Sequence, residues 1–271
     1  MVRDTIQSIS LEGVCKRFPT RDGRLHTAIR DVDLSVGGGE FVAVVGPTGC
    51  GKSTILSLIS GLSTPSAGAV SVNGAAVAGI PDGLGYMFQT DAVLPWRTVV
   101  DNVAAGPRWR GMSKADAHDL ARSWLDKVQL SGFELYHPHQ LSGGMRKRVA
   151  LAQTLIGEPS ILLMDEPFGA LDVQTRQMMQ DLLLELWSEI GAAVVFVTHD
   201  LTEAIALADT VVVMTAGPAT VKDVIAVNLA RPRAVEEIRL TDEFLDVYRK
   251  VWESLRDEVR ITRARGAEHV A

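Results

Sequence analysis

The apolar residues of this chain change period repeatedly, and each change marks an element. Positions 6–14 alternate, with Ile6, Ser8 and Ser10 set against Ile9 and Leu11, which predicts a half-buried strand ended by Phe18-Pro19. Thr20-Arg21-Asp22-Gly23-Arg24 reads as a turn, and 29–36 alternates again as a second strand. After the Gly37-Gly38-Gly39 turn, Phe41-Val42-Ala43-Val44-Val45 is apolar throughout, the pattern of a strand covered on both faces. Ile55-Leu56-Ser57-Leu58-Ile59 has helical spacing, and 63–67 is a Ser/Thr/Pro loop. Two short strands follow at 69–72 and 84–88, separated by an Asn73-Gly74 turn and a Gly/Pro-containing segment.

Between about 98 and 156 the pattern becomes helical. Ser113 is a good N-cap, and Ala117, Leu120, Ala121, Trp124, Leu125 and Val128 lie on one stripe. From 157 onward buried strands return at 161–164, 193–197 and 211–214. A helix at 174–190 lies between the first two, with Met178, Leu182, Leu183, Leu186 and Trp187 as its apolar face. Residues 241–259 are helical again, with a polar, frayed end. Strands alternating with helices predict an α/β fold with a mostly parallel sheet built from βαβ units.

The run joining the 41–45 strand to the 55–59 helix is Gly46-Pro47-Thr48-Gly49-Cys50-Gly51-Lys52-Ser53-Thr54. Strand, Gly-rich turn and helix in that order are the context of a phosphate-binding P-loop. Glycines let successive N–H groups converge on one anion, and the helix adds its positive end. Lys52 brings a cation to the β- and γ-phosphates, and the Ser53 hydroxyl is a ligand for Mg²⁺. A second chemical end follows the strand at 161–164, where Asp165 and Glu166 sit at the strand's carboxyl end. Asp165 suits Mg²⁺, and Glu166 is placed as general base for water attacking the γ-phosphate, with Pro167 expected to hold it extended. Leu141-Ser142-Gly143-Gly144-Met145 opens a second anion-binding helix start, followed by Arg146, Lys147 and Arg148. Cations in a first helical turn oppose the dipole, which suggests an anion nearby, the alternative being a capped helix with a solvated basic face.

With Leu141-Ser142-Gly143-Gly144 on the page, the chain resembles the nucleotide-binding ATPase subunit of ABC transporters over nearly all of its length. That run matches the ABC signature, which ordinary P-loop kinases and GTPases lack, and Met145 stands where the family most often has Gln, outside the Ser-Gly-Gly that meets phosphate. The resemblance implies that Gln89 is the Q-loop glutamine reaching Mg²⁺ and the attacking water, and that Ala170-Leu171-Asp172 is the D-loop, with Asp172 at the nucleotide interface. It implies that His199 is the switch histidine on the γ-phosphate and that Phe18 is the aromatic stacking on adenine. It implies a P-loop core with an N-terminal antiparallel β subdomain, an ATPase domain over 1–240 with a helical subdomain at about 98–156 inserted in it, and a helical tail at 241–271. The expected ligands are ATP and Mg²⁺. The expected partners are a second copy of the chain, paired head to tail because one chain holds one P-loop and one signature, an integral membrane permease, and indirectly a solute-binding protein.

The Leu94-Pro95-Trp96-Arg97-Thr98-Val99 and Leu141–Arg146 runs most resemble the nitrate, sulfonate and taurine importer ATPases, and Leu94-Pro95-Trp96 reads either as permease contact or as local core. The competing readings are a lipid-handling or exporter-type ATPase, a soluble ABC ATPase acting on DNA or ribosomes, and a P-loop kinase or GTPase. The soluble class usually carries coiled-coil insertions or paired ATPase units, and neither is seen.

Composition narrows this further. A net charge of −6 argues against a dedicated nucleic-acid binder. Two cysteines, Cys15 and Cys50, exclude a disulfide scaffold and fit a reducing compartment. No stretch reaches the ~18–20 apolar residues of a membrane span, and the N-terminus has no signal-peptide core. Attachment to the cytoplasmic face of the cell membrane is therefore expected to run through the permease. The chain ends soon after the core, leaving no room for the extra β-domain of sugar-importer ATPases. His118, His137, His139 and His269 read as surface residues, and Cys50 as a small residue whose oxidation would block the loop.

Overall fold

The computed structural model describes residues 7–20 and 23–268; Ile6, the Arg21-Asp22 of the expected turn and His269 lie outside the described residues. The chain falls into two compact units, one made of residues up to Asp82 together with those from Gly191 onward, the other of Gly83–Ile190.

The first unit opens with β1 (Gln7–Pro19), β2 (Leu25–Gly37), β3 (Phe41–Val45), α1 (Lys52–Ile59), β4 (Ala67–Val72) and β5 (Ala75–Ala76). β1, β2, β4 and β5 form an antiparallel sheet in the order β2-β1-β4-β5, with Leu11 opposite Leu34 and Ile9 opposite Val72. In β2 the buried side chains are Ile29, Val32, Leu34 and Val36, as the alternation predicts. β1 is less one-sided than its pattern: Ser8 and Ser10 are buried along with Ile9 and Leu11. It is the central strand, paired with β2 on one edge and β4 on the other, so neither edge faces water.

The second unit contains β6 (Leu84–Met87), α2 (Val99–Val103), α3 (Ala105–Trp109), α4 (Lys114–Lys127), α5 (Gly143–Leu155), β7 (Ile161–Asp165) and α6 (Val173–Ile190). β6 and β7 are parallel, with Tyr86 opposite Leu163. Thr98 and Ser113 cap α2 and α4 through Asp101 and Asp116 N–H groups. The unit is therefore broader than the helical stretch 98–156, because it takes in β6, β7 and α6. On α6 the buried face carries Met179, Leu182, Leu183, Leu186 and Trp187, whereas Met178 is 52% exposed. Either methionine fits a helical stripe, so its edge is misread by one residue. His118 is also not a free surface residue: its Nε2 lies 2.9 Å from Asp101 Oδ1.

The chain returns to the first unit as β8 (Ala193–Val197), α7 (Leu201–Leu207), β9 (Thr210–Met214), β10 (Val221–Ala226), α8 (Val235–Ile238) and α9 (Asp242–Glu268). Here β3 lies between β8 and β9, parallel to both, and β10 adds antiparallel to β9. All five residues of β3 and of β8 are buried. Each Val or Phe so placed contributes roughly 1.5–3 kcal/mol of transfer free energy. Sequence pattern misses β10 because it is an edge strand carrying Lys222 and Asp223, with Val224 62% exposed.

One buried cation ties the turn after α7 to this sheet. The Arg233 guanidinium donates to the carbonyls of Ala206 (3.2 Å), Ala208 (2.7 Å) and Leu229 (3.0 Å), satisfying the end of α7 that its own helix leaves open. Burial and the like charge of Arg231 pull its pKa down to about 10, while Asp209 opposes them. Asp209 in turn accepts the Phe41 N–H at 3.0 Å and so anchors the first residue of β3. Arg233→Ala should therefore destabilise the protein by at least about 2 kcal/mol, because several buried carbonyls lose their donor; urea unfolding followed by circular dichroism measures it.

Candidate active site

In the first unit β3 delivers the chain into the loop Gly46–Lys52, and two of its glycines are required by geometry. A Cβ on Gly46 would stand 2.9 Å from Cys50 Sγ and 3.0 Å from Met214 Cβ. Gly51, at φ +118°, would set a Cβ 2.8 Å from Ile29 Cγ2. Gly51 is also the N-cap of α1; it makes no side-chain cap hydrogen bond, and its carbonyl accepts the Thr54 and Ile55 N–H groups at 3.0 and 3.2 Å. Lys52 is buried, its Nζ donating to the carbonyls of Gly46 (3.0 Å) and Pro47 (3.1 Å), which aims the ammonium into the loop. Ser53 and Thr48 are exposed or nearly so at the mouth, and Thr54 continues α1.

Cys50 is buried, and burial, only partly offset by Lys52, pushes its thiol pKa up. A buried thiol kept protonated is a weaker nucleophile than an exposed thiolate, which suits the reading of Cys50 as a small residue that fits the loop. His199 follows β8 on an exposed bend. The bend is fixed from below: Thr198 Oγ1 donates to the buried Glu203 carboxylate at 2.7 Å and accepts the Asp200 N–H at 3.0 Å. Asp200 then caps α7 through the Thr202 and Glu203 N–H groups. Phe18 is 39% exposed near the end of β1, with the Lys16 ammonium 5.0 Å from its ring centroid.

The second unit gathers the remaining residues. Asp165 ends β7 and Glu166 follows it, both half-buried. Glu166 is not extended, as the proline after it predicts, but has φ +43°. This left-handed residue heads a turn directly after the strand, the Gly169 N–H donating to its carbonyl at 3.3 Å. Such a conformation in a non-glycine residue costs on the order of 1–3 kcal/mol and concentrates at functional sites. Gln89, exposed just after β6, donates from Nε2 to Glu166 Oε2 at 3.4 Å, so the amide oxygen is left over for another ligand. Burial and the nearby Asp165 raise the Tyr86 pKa to about 12.

Ser142 is the N-cap of α5, accepting the Met145 N–H at 3.3 Å, and with Gly143 it is exposed. An anion does lie beside Arg146 and Lys147, and it belongs to the chain itself. Lys147 Nζ lies 2.9 Å from Asp91 Oδ1 and 3.0 Å from the Gln89 carbonyl, and Arg146 Nε lies 3.6 Å from Asp91 Oδ2. Asp91 and the buried Lys147 thus join the start of α5 to the segment after Gln89, a link whose sequence signal was a cation placed against the helix dipole. Asp172 is exposed and accepts the Thr175 N–H at 3.0 Å; this and the Thr175 hydroxyl hold its carboxyl below the usual range.

Among the described residues no cluster of three or more His, Cys, Asp and Glu could hold a metal by itself. Mg²⁺ takes few protein ligands and completes its shell with phosphates and water, so it does not call for such a cluster. Ser53, Gln89 and Asp165 are hard oxygen donors of the right type.

Residues 29–169 match the model of the family described as ABC transporter. The chain is 42% identical over 251 residues to the uncharacterized ABC transporter ATP-binding protein MJ0412 of Methanocaldococcus jannaschii, covering 93% of this chain and 92% of that one. It is 42% identical over 245 residues to the taurine import ATP-binding protein TauB of Burkholderia pseudomallei, covering 89% and 94%. With the aliphatic sulfonates import ATP-binding protein SsuB of Bacillus cereus it shares 37% identity over 246 residues, covering 90% and 94%. Among solved structures, the dimeric post-hydrolysis state of the ATP-binding cassette MJ0796 bound to ADP and Pi superimposes with a TM-score of 0.72 at 30% identity, covering 82% of this chain and all of that one. The chain belongs to the ABC transporter family and is an ABC-type ATPase.

Proposed function

We propose that the protein is the ATP-hydrolysing subunit of a bacterial ABC importer for nitrate, a sulfonate or taurine, working as a head-to-tail pair on the cytoplasmic face of a membrane permease that a solute-binding protein supplies. The observation that carries the hydrolytic part is the Gln89 amide on the Glu166 carboxylate, directly after the apolar strand that ends in Asp165. The importer part is supported by the taurine and sulfonate import relatives.

The division of labour follows from the residues. The N–H groups of Gly49–Ser53 and Lys52 hold the β- and γ-phosphates, and Phe18 stacks on adenine. Glu166 accepts a proton from water as its oxygen attacks the γ-phosphorus, while Gln89 and His199 orient the water and the γ-phosphate. ADP leaves as the bond to the bridging oxygen breaks. Ser53, Gln89 and Asp165 would hold Mg²⁺, which when bound neutralises charge on the phosphates. Ser142, Gly143 and Gly144 of the second copy present their helix start to the same nucleotide, beside Asp172.

Among the described residues no helix is long and apolar enough to cross a membrane, which leaves transport to a separate permease. The surface offered to it is rigid and apolar. Asn102, fully buried, accepts the Leu94 N–H at 2.7 Å and donates to the carbonyls of Leu94, Arg97 and Thr98, fixing a loop on which Trp96 is 73% exposed. Leu94 is half-buried, so it belongs partly to the local core. Nearby a cavity of about 240 Å³ lies between Phe88, Trp109 and Arg110 and suits the tip of a permease helix.

Lys52→Ala should abolish tight ATP binding. Glu166→Gln should retain binding and lose hydrolysis by roughly 10²–10⁴-fold, the contribution of a positioned base. Calorimetry and phosphate release measure the two, and near-parental turnover by Glu166→Gln would remove Glu166 from its role. Ser142→Arg should bind ATP but not hydrolyse it; mixed with Lys52→Ala chains, it should recover activity, since a mixed pair holds one intact site. Full activity of Ser142→Arg alone would exclude the two-chain site.

A further inference from the structure

A cavity of about 410 Å³ opens on the outer side of the P-loop, entirely within the first unit. One wall is Thr48, Gly49 and Cys50; a second is the start of β2, including His26 and Ala28; the third is Pro218 and Thr262. Thr262 lies on α9, outside the 29–169 segment that the family model matches. The cavity's volume falls within the ~300–1,000 Å³ of small-molecule sites. Its chemistry mixes apolar Leu25, Ala28 and Pro218 with the polar His26 and Arg30, which suits a flat heteroaromatic ring carrying polar edges. His26 stands directly opposite Phe18 in the β1–β2 register, so the expected adenine-stacking residue is the strand neighbour of one wall residue.

The Gly217-Pro218 wall is held from α9. Glu258, buried, accepts the Ala216 N–H at 2.9 Å and the Lys222 ammonium at 2.8 Å, and Lys222 also donates to the Ser254 carbonyl at 2.8 Å. From Ala216 the loop runs to Ala219, which exchanges backbone hydrogen bonds with Ala28 (3.0 Å) and Arg30 (2.9 Å) of β2. The same strand presses Ile29 against Gly51, and Met214, at the head of the loop, backs Gly46. A contact on α9 is thereby connected, through one loop and one strand, to both constrained glycines of the P-loop.

We propose that the C-terminal helix is part of the nucleotide site: Thr262 walls the compartment that receives the nucleoside of ATP, and Glu258 is a positioning residue that sets that compartment's shape. The proposal rests on the reading of the P-loop as the ATP site. It assigns α9 a role in affinity for the nucleoside rather than in the chemistry at the γ-phosphate, because Thr262 of α9 lines the cavity beside Thr48–Cys50.

The test separates nucleoside from phosphates. Thr262→Trp, at a half-exposed position that tolerates bulk, fills the cavity; ATP and inorganic tripolyphosphate, each with Mg²⁺, are titrated calorimetrically. The expected result is a roughly tenfold weaker ATP affinity with tripolyphosphate binding unaffected. Glu258→Ala should raise the KM for ATP more than it lowers kcat, and Glu258→Gln, which keeps an acceptor for the Ala216 N–H, should restore it. Parental ATP affinity in Thr262→Trp, or equal weakening of both ligands, would overturn the proposal. So would a Glu258→Gln variant no better than Glu258→Ala. Lys52→Ala, run alongside, should lose both ligands; if it binds both normally, the P-loop reading itself fails and takes the proposal with it, an outcome distinct from failure at Thr262 alone.

Discussion

Everything chemical in this molecule depends on one backbone constraint: consecutive N–H groups must face a single anion, and two positions of the loop that does this have no room for a side chain. Gly46 is closed in by Cys50 and Met214, and Gly51 sits at φ +118° against Ile29. Met214 and Ile29 come from distant parts of the chain, so the loop's shape is set by tertiary packing as much as by its own residues. The fully buried β3 and β8 supply the rigid floor. Lys52, folded onto the Gly46 and Pro47 carbonyls, completes the loop with a positive charge already inside it. Holding that charge in place before ligand arrives reduces the ordering cost that binding must meet.

The second unit uses a different device. Its functional groups are set by short-range cross-links rather than by a sheet floor. Gln89 meets Glu166, and the carbonyl of the same Gln89 meets Lys147, which is paired with Asp91 near the start of α5. The glutamine, the base and the Ser142 helix start are therefore mechanically connected within that unit. A shift of the segment at 89–91 moves all three, which is how a partner touching the adjacent Trp96 loop would be felt at the site of hydrolysis.

Much of this was legible in the sequence because it is local. A strand, a Gly-rich turn and Lys-Ser specify the P-loop from contiguous residues, and the apolar run before Asp165-Glu166 specifies the other strand end in the same way. The fold class followed from period alone, since β3, β7 and β8 are continuous apolar runs separated by helical stretches. What escaped was set by tertiary contact. The left-handed Glu166, at the head of a turn, runs against the extended conformation that the proline after it favours. Asp91 and Lys147 are 56 positions apart and nothing in either neighbourhood names the other. Edge strand β10 is too exposed to show a pattern, and Met178 and Met179 differ only in which side of a stripe they fall. Arg233, buried on five carbonyls, looks in sequence like any surface arginine.

The central claim is that one ATP is held by the P-loop of one copy and the Ser142 helix start of another. Each nucleotide brings several negative charges, matched fully only when Lys52 and the loop amides meet that second helix start. The most direct measurement is light scattering on a sizing column of the Glu166→Gln protein, which binds ATP without consuming it. With ATP and Mg²⁺ it should shift from monomer to dimer, and with ADP, or with Ser142→Arg added, it should not. A monomer at high protein concentration and saturating ATP would contradict the claim.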